Sequence, residues 1–242
     1  MLTIGKIIYS CFDMTMPCMS KKNRELVVVF DLDDTLYSEI DFLKSGYRAI
    51  ADYLIGTYGI ANDPYEYMLE WFEKKRNVFV SLNEYYNLSV PIEDYLSIYR
   101  THKPQLFLSV NVCQVLTRLK ILGCVLGIIT DGRGITQRNK IKALGLNQYI
   151  ESSNIIISEE FGHEKPCIEN YNYFVYKYPN RRFFYIGDNS EKDFLAPNSL
   201  DWVTICLLDN GRNIHHQNFE MAVEYLPQIK VQAIHQILQY IL

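Results

Sequence analysis

Short apolar segments alternate with longer amphipathic segments along most of the chain. The apolar run at residues 26–30 is rich in valine, which is typical of a strand buried on both faces, and acidic residues follow it directly. Similar short runs occur at residues 125–129, 155–157, 182–186 and 202–206. Because helical spacing separates these runs, the pattern predicts an α/β fold with a doubly wound parallel sheet.

Helices are predicted between the strands and after the last of them. These helices cover residues 110–122, 135–144 and 167–178, a short segment from Glu191, and a terminal segment that reaches Leu242. They supply the crossover connections that parallel strands require.

The tract between the first two predicted strands has a different character. From residue 38 to residue 107 the apolar positions follow helical spacing, without another short apolar strand. We expect one helix over residues 40–54, a second after the Asp63-Pro64 pair and a third after Pro91. The tract is therefore predicted to be an all-helical insert, or cap.

The domain organisation follows from this interruption. We expect a catalytic core formed by residues 23–37 and 108–242, a helical cap at residues 38–107, and an N-terminal leader of unclear role at residues 1–22. The chain has 242 residues, of which 48% are hydrophobic and 21% charged, so it is long enough for one sizeable core and a smaller module.

Charge and cysteine content restrict the partners. The formal net charge is −4 and no run of lysine or arginine exceeds a pair, so nucleic-acid binding is not expected. No apolar run approaches the ~20 residues of a membrane span, so no membrane partner is expected. The six cysteines lack C-x-x-C or zinc-ligand spacing, which indicates reduced thiols in a cytoplasmic protein. The oligomeric state stays open.

Two carboxylates follow the first strand directly. Asp31 and Asp33, in the run Asp-Leu-Asp-Asp-Thr, emerge where ligands bind in open α/β sheets. Like charges crowded together at such a point require a cation or a reaction that uses them. Asp34 is expected to point away as a solvated or capping residue.

Two further loops carry groups that suit an anion. The hydroxyl of Thr130 and the amides of Asp131 and Gly132 follow the second strand and can donate to phosphate oxygens. Lys165 is predicted to lie at the start of a helix, where Pro166 suits the first turn and a positive charge is poorly placed for the helix dipole. Taken alone, these loops also fit a capped turn and a surface lysine.

The fourth strand ends in Gly187-Asp188, and Asp193 follows one turn later. A Gly-Asp tip can simply cap a helix. Polar residues in four such loops of one sheet are harder to explain as four unrelated helix caps.

Together these motifs resemble the haloacid dehalogenase superfamily of hydrolases, in its phosphatase branch. Asp-x-Asp-x-Thr at residues 31–35, Thr130, Lys165 and Gly-Asp-x4-Asp at residues 187–193 match the four family motifs in order. The segment around Thr130, with Gln137, Arg138 and Lys140, also looks like N-acylneuraminate-9-phosphate phosphatases and pyrimidine nucleotidases.

The resemblance implies a mechanism and a cofactor. Asp31 is then the nucleophile that forms an aspartyl-phosphate, and Asp33 is the general acid and later the base. Thr130, Asp131, Gly132 and Lys165 bind the phosphate and balance its charge. Mg²⁺ is held by Asp31, Asp188 and the carbonyl oxygen of Asp33, and Asp193 holds metal-bound waters. The implied substrate is a small phosphorylated metabolite, either a sugar phosphate or a nucleotide.

Three alternatives stay open at this point. A phosphomutase shares the phosphatase residues, and a noncatalytic regulatory member would keep the fold without turnover. A carbon–halogen hydrolase is disfavoured, because the family's dehalogenases lack the second aspartate of the first motif, which is present here as Asp33.

Overall fold

The computed structural model describes residues 25–242, and its centre is a parallel sheet built from the apolar runs. Within the described residues the strands are β1 (Leu26–Phe30), β2 (Val125–Thr130), β3 (Ile155–Ile157), β4 (Arg182–Gly187), β5 (Val203–Leu207) and β6 (Ile229–Val231). They lie in the order β3-β2-β1-β4-β5-β6, and every neighbouring pair is parallel. The predicted α/β class is confirmed. The predicted leader, residues 1–22, lies outside the described residues.

Helices connect the strands and cover the sheet. They are α1 (Glu39–Tyr58), α2 (Tyr65–Glu73), α3 (Val78–Tyr86), α4 (Ile92–Thr101), α5 (Val110–Ile121), α6 (Gly134–Ala143), α7 (Ser158–Phe161), α8 (Glu169–Lys177), α9 (Leu195–Ser199) and α10 (Leu238–Ile241). None of the helices in residues 25–242 combines the length and apolar character needed to traverse a lipid bilayer.

Strand β1 is buried on both faces, which explains its unbroken apolar sequence. Val28 packs in an apolar cluster that includes Leu116 of α5. The next residue, Val29, faces the opposite side and packs in a second cluster with Phe174 of α8. The sheet is therefore covered by helices on both sides, and only its strand ends are free to carry polar side chains.

The tract between β1 and β2 forms four helices with their own apolar cluster. Ile50 of α1, Met68 of α2, Leu82 of α3 and Tyr95 of α4 are all fully buried in it. The helical character of the tract agrees with the sequence pattern. The boundaries of the cap at residues 38 and 107 stay a prediction.

Helix α3 is absent from the sequence-based expectation. Its first turn contains Val78 and Val80, and β-branched residues weaken a helical signal. The Asn77 side chain accepts a hydrogen bond from the N–H of Val80 at 3.2 Å and begins the helix. The cap therefore has four helices where three were expected.

The C-terminal part also differs from the expectation. The expected terminal helix is present only as α10, which follows a short 3₁₀ helix at Ile234–Ile237, and the strand β6, which pairs with β5, was not expected. With three residues, β6 is too short to give a period of its own. Helix α9 begins at Leu195 and not at Glu191. Helix α8 begins at Glu169, so Lys165 lies in the preceding loop and not at the helix start.

Candidate active site

Side chains from four chain segments meet at the carboxyl ends of the central strands. Asp31 and Asp33 follow β1, Thr130 ends β2, Asp188 follows β4, and Lys165 comes from the loop before α8. All five line one cavity of about 130 Å³. The cavity lies where open α/β sheets bind ligands.

Lys165 lines this cavity and contacts two carboxylates. Its Nζ donates to Asp31 Oδ1 at 2.8 Å and to Asp193 Oδ1 at 2.6 Å. Burial alone would lower the pKa of Lys165, but Asp193 and Asp31 outweigh it and raise this pKa above its ordinary value. The lysine is therefore a fixed positive charge next to Asp31.

Asp193 is completely buried and holds the loop after β4 in place. Its Oδ2 accepts hydrogen bonds from the backbone N–H groups of Asp188 and Asn189, at 3.1 and 2.9 Å. Its Oδ1 accepts the hydroxyl of Tyr185 at 3.1 Å in addition to Lys165. The carboxylate thus anchors both the backbone beside Asp188 and the ammonium group beside Asp31.

Asp188 is held by two neutral donors. Thr35 Oγ1 donates to its Oδ1 at 3.3 Å, and Asn213 Nδ2 donates to its Oδ2 at 2.9 Å. Asn213 lies in the loop after β5, far from the motifs in sequence. This loop therefore helps to orient the Asp188 carboxylate.

The acidic groups have pKa values that reflect their crowding. Burial, together with the charges of Asp193 and Asp33, raises the pKa of Asp31 to about 7 despite Lys165. Burial and the charges of Asp193 and Asp31 raise the pKa of Asp188 to about 9. A cation bound beside these carboxylates would strongly stabilise their ionised forms.

The donor set fits a hard divalent cation. Carboxylate oxygens of Asp31, Asp188 and Asp193 lie within 4.8 Å of one another, and the three side chains are buried. Oxygen ligands of this kind are those that Mg²⁺ prefers. Asp31 and Asp188 line the cavity, whereas Asp193 is completely buried and is not among its described lining residues, so Asp31 and Asp188 are the better candidates for direct ligands.

Asp33 is surrounded by donors. Its Oδ1 accepts from Lys140 Nζ at 2.7 Å and from the Tyr37 hydroxyl, and its Oδ2 accepts from Gln137 Nε2 at 2.9 Å. Burial acts to raise the pKa of Asp33, but the charge of Lys140 and these hydrogen bonds lower it overall. The side chain is still 20% exposed and faces the cavity.

The loop after β2 is only partly open to a ligand. Thr130 and Asp131 line the cavity, and Thr130 Oγ1 accepts from Gln137 Nε2 at 2.6 Å. The N–H of Gly132 already donates to Ser158 Oγ at 2.9 Å, and Gly132 is absent from the described cavity lining. Gly132 has a φ of 135°, a conformation that favours glycine.

Asp34 caps the first cap helix. Its Oδ1 accepts the N–H of Glu39 at 2.7 Å, and its Oδ2 accepts the N–H of Ile214 at 3.2 Å. The capping role agrees with the expectation. The expected solvation is wrong, because Asp34 is only 9% exposed and lines the cavity.

Several residues at the site lie outside the four motifs and were given no role there from the sequence. Tyr37, Gln137 and Lys140 contact Asp33, and Asn213 contacts Asp188. The rim of the cavity also includes Glu39, Lys192 and His215. The sequence of α6 did contain a usable pattern. Gln137, Lys140 and Ile141 follow helical spacing on its buried face, so the two polar residues among them could have been predicted to face the core. The other contacts depend on the folding of distant loops.

A second polar cluster lies outside the cavity. Cys167 Sγ donates to Glu169 Oε2 at 2.7 Å and lies 3.5 Å from His163 Nδ1. No such pairing of cysteine and histidine was expected from the sequence. The three groups are half-buried or exposed and satisfy one another by hydrogen bonding.

The family model described as haloacid dehalogenase-like hydrolase matches residues 28–204. This match covers more than half of the chain and includes all of the strand ends that form the cavity. The chain belongs to the haloacid dehalogenase-like hydrolase family.

Similar proteins point to one branch of this family. The glyceraldehyde 3-phosphate phosphatase of Methanocaldococcus jannaschii is 27% identical over 211 residues, which cover 75% of this chain and 84% of the relative. The HAD-hydrolase YfnB of Bacillus subtilis, whose structure is bound to magnesium, superposes with a TM-score of 0.59 at 20% identity over 90% of this chain and 99% of its own. A HAD phosphatase from Thermococcus onnurineus gives a TM-score of 0.56 at 21% identity over 88% and 96%.

The structural similarities show the shared fold, and the family match and the phosphatase relatives show the class of enzyme. The protein is a hydrolase of phosphoric monoesters, as the motifs predicted. The finer likeness to N-acylneuraminate-9-phosphate phosphatases and pyrimidine nucleotidases stays a prediction.

Proposed function

We propose that this protein is a Mg²⁺-dependent phosphomonoesterase that forms an aspartyl-phosphate on Asp31. The observation that carries the proposal is the pairing of Asp31 with Lys165 at 2.8 Å, inside a cavity that Asp188 and Thr130 also line. A carboxylate nucleophile needs such positive charge to approach an anionic ester.

The roles of the remaining residues follow from their positions. Asp33 faces the same cavity as Asp31 and protonates the departing alcohol, then removes a proton from the attacking water. Lys165 and the hydroxyl of Thr130 balance the charge on the phosphoryl oxygens. Asp193 keeps Lys165 and the Asp188 loop in position.

Asp31, Asp188 and the carbonyl oxygen of Asp33 are the proposed Mg²⁺ ligands. When bound, the cation supplies Lewis acidity and neutralises the phosphate and the crowded carboxylates. The raised pKa values of Asp31, about 7, and Asp188, about 9, support this assignment, because burial and like charges currently disfavour their ionised forms.

The cavity favours a small substrate. Its volume of about 130 Å³ is below the roughly 300 Å³ at which pockets for larger ligands begin, so a short phosphorylated sugar fits better than a nucleotide. The relatives named glyceraldehyde 3-phosphate phosphatase support the same choice. We propose a phosphorylated sugar or sugar acid of few carbons as the substrate class.

A screen of phosphorylated metabolites, read as released phosphate with and without EDTA, tests the proposal. We expect release that EDTA abolishes and Mg²⁺ restores. Asp31→Asn should lose at least about 10³-fold in kcat, while Asp94→Asn, at an exposed position of α4, should match the wild type. Full turnover of an aryl phosphate by Asp31→Asn would show that the nucleophile is wrong.

Free phosphate also separates the alternatives. A phosphomutase would interconvert phosphosugar isomers without accumulating phosphate, and a noncatalytic member would do neither. The acid–base residue Asp33 has no function in a carbon–halogen hydrolase, because no alcohol leaves that needs a proton.

A further inference from the structure

Lys140 is a buried lysine next to the active site that belongs to none of the four motifs. Its side chain is 5% exposed, and its Nζ lies 2.7 Å from Asp33 Oδ1. Lysine is almost never buried to this degree unless it is paired. The pairing with Asp33 therefore explains why a cation occupies the inner face of α6.

Aromatic rings complete the surroundings of this ammonium group. Lys140 Nζ lies 4.4 Å from the ring centroid of Phe42 and 6.0 Å from that of Tyr37. Contacts of this kind attract a cation to the face of a ring. Lys140 is thus held from the cap side by α1 and from the core side by Asp33.

The Asp33 carboxylate is oriented from several directions. Gln137 lies one turn before Lys140 on α6 and donates to the second oxygen of Asp33 at 2.9 Å. Tyr37, in the segment between β1 and α1, donates to the same oxygen as Lys140. The carboxylate plane is consequently set by contacts on both oxygens.

Lys140 lies behind the cavity and does not line it. Among the described residues that line the cavity, Lys165 is present and Lys140 is absent. The hydrogen bond to the cavity-lining Asp33 is therefore the contact through which we expect Lys140 to act.

We propose that Lys140 is a positioning residue that directs the Asp33 carboxyl group towards the leaving-group oxygen of the substrate. The inference rests on the proposed function, because it requires Asp33 to be the proton donor. Each of the two buried lysines then contacts a different carboxylate: Lys165 pairs with the nucleophile Asp31, and Lys140 pairs with the acid Asp33.

The proposal predicts a dependence on the leaving group. Alkyl esters release a poor leaving group and need the proton from Asp33, whereas p-nitrophenyl phosphate releases a stable phenolate without it. Removing Lys140 should therefore slow alkyl esters much more than the aryl ester. A residue that only supports the fold would slow both alike.

The test compares kcat/KM for p-nitrophenyl phosphate with kcat/KM for the alkyl phosphate that turns over fastest in the metabolite screen. The charge of Lys140 lowers the pKa of Asp33 and thus opposes its acid form, but we expect the lost orientation to outweigh this effect. Lys140→Met should therefore lose about 10²-fold for the alkyl ester and less than about fivefold for the aryl ester. Lys140→Arg should restore most of the alkyl activity. Lys142→Met, at an exposed position of the same helix, is the matched control and should leave both values unchanged.

The ratio of the two kcat/KM values does not depend on the amount of folded enzyme. If Lys140→Met folds poorly, Lys140→Gln is therefore read by the same ratio. An equal loss for both esters, or no loss for either, would overturn the proposal.

A double-mutant cycle tests whether Lys140 acts through Asp33. Asp33→Asn alone should lose alkyl activity, and adding Lys140→Met should cost less than about threefold more, since the two residues act as a unit. Multiplied losses would contradict the positioning role. If Asp33→Asn itself keeps its alkyl activity, the acid assignment fails, which is distinguishable from a failure confined to Lys140.

Discussion

Lys165 and Asp193 form an ion pair in the interior of the protein. The Lys165 Nζ donates to Asp193 Oδ1 at 2.6 Å, and the two side chains are 4% and 0% exposed. Removing Asp193 is costly, because the buried Lys165 keeps only Asp31 as a charged partner and the N–H groups of Asp188 and Asn189 lose their acceptor.

We therefore expect Asp193→Ala to lower the free energy of unfolding by about 3–5 kcal/mol, the range for removing one partner of a buried pair. Urea denaturation followed by circular dichroism measures the change. The control is Glu160→Gln, which breaks the exposed pair with Arg138 and should cost at most about 1 kcal/mol. Equal shifts of the urea midpoints in Asp193→Ala and Glu160→Gln would show that burial does not determine how much stability is lost when an ion pair is removed.

Gly187 has no room for a side chain. A Cβ at this position would lie 2.6 Å from Asp193 Cγ, so Gly187→Ala must displace the residue that anchors Lys165. We expect a loss of about 1–3 kcal/mol in stability and a fall in phosphatase activity.

Gly56→Ala is the matched comparison for Gly187→Ala. A Cβ at Gly56, inside α1, meets no atom within 4 Å, so this change should stabilise the protein by up to about 1 kcal/mol. Thermal unfolding and turnover of p-nitrophenyl phosphate are measured on both variants. A Gly187→Ala variant with normal activity would contradict the role given to Asp193.

Asn213 should influence the affinity for Mg²⁺. It donates to Asp188 Oδ2 at 2.9 Å, and groups that orient a metal ligand typically contribute 10–100-fold to metal affinity. We expect Asn213→Ala to raise the Mg²⁺ concentration for half-maximal activity by about that factor. Asn210→Ala, exposed in the same loop, should not change it.

His102 should make stability depend on pH. Burial lowers the pKa of His102 below its ordinary value of 6.5, although its ring contacts the Tyr99 carbonyl oxygen at 2.7 Å. Between the lowered folded pKa and 6.5 the unfolded chain binds more protons, so the free energy of unfolding falls as the pH decreases through this window.

His102→Gln should remove this contribution. Urea midpoints at pH 7.5 and pH 5.5, values of about one unit on either side of the ordinary histidine pKa, should then differ less than in the wild type. His235→Gln, at an exposed histidine, serves as the control. An unchanged pH dependence in His102→Gln would show that protonation of this ring does not oppose folding.

The sheet could be predicted from the sequence because its strands are buried on both faces. Residues such as Val28 and Val29 pack on opposite sides, and this produces the short apolar runs that mark each strand. The motif residues Asp31 and Asp188 could be found for the same reason, since each one directly follows such a run.

The contacts around these residues could not be found in this way. Lys140 and Asp33 are 107 positions apart, and their pairing depends on how α6 packs beside β1. Asn213 reaches Asp188 from a loop without regular periodicity. Neither the helical nor the strand period carries information on such tertiary pairs.

The position of β1 in the sheet has a consequence for biosynthesis. This strand is near the start of the described chain, but it lies between β2 and β4, and β4 begins only at Arg182. During translation the backbone N–H and C=O groups on one edge of β1 therefore lack their partner strand until the ribosome has passed that point, and open strand edges promote association with other chains. Nascent or prematurely terminated chains that stop before Arg182 are thus the forms for which we expect the greatest need of chaperone binding.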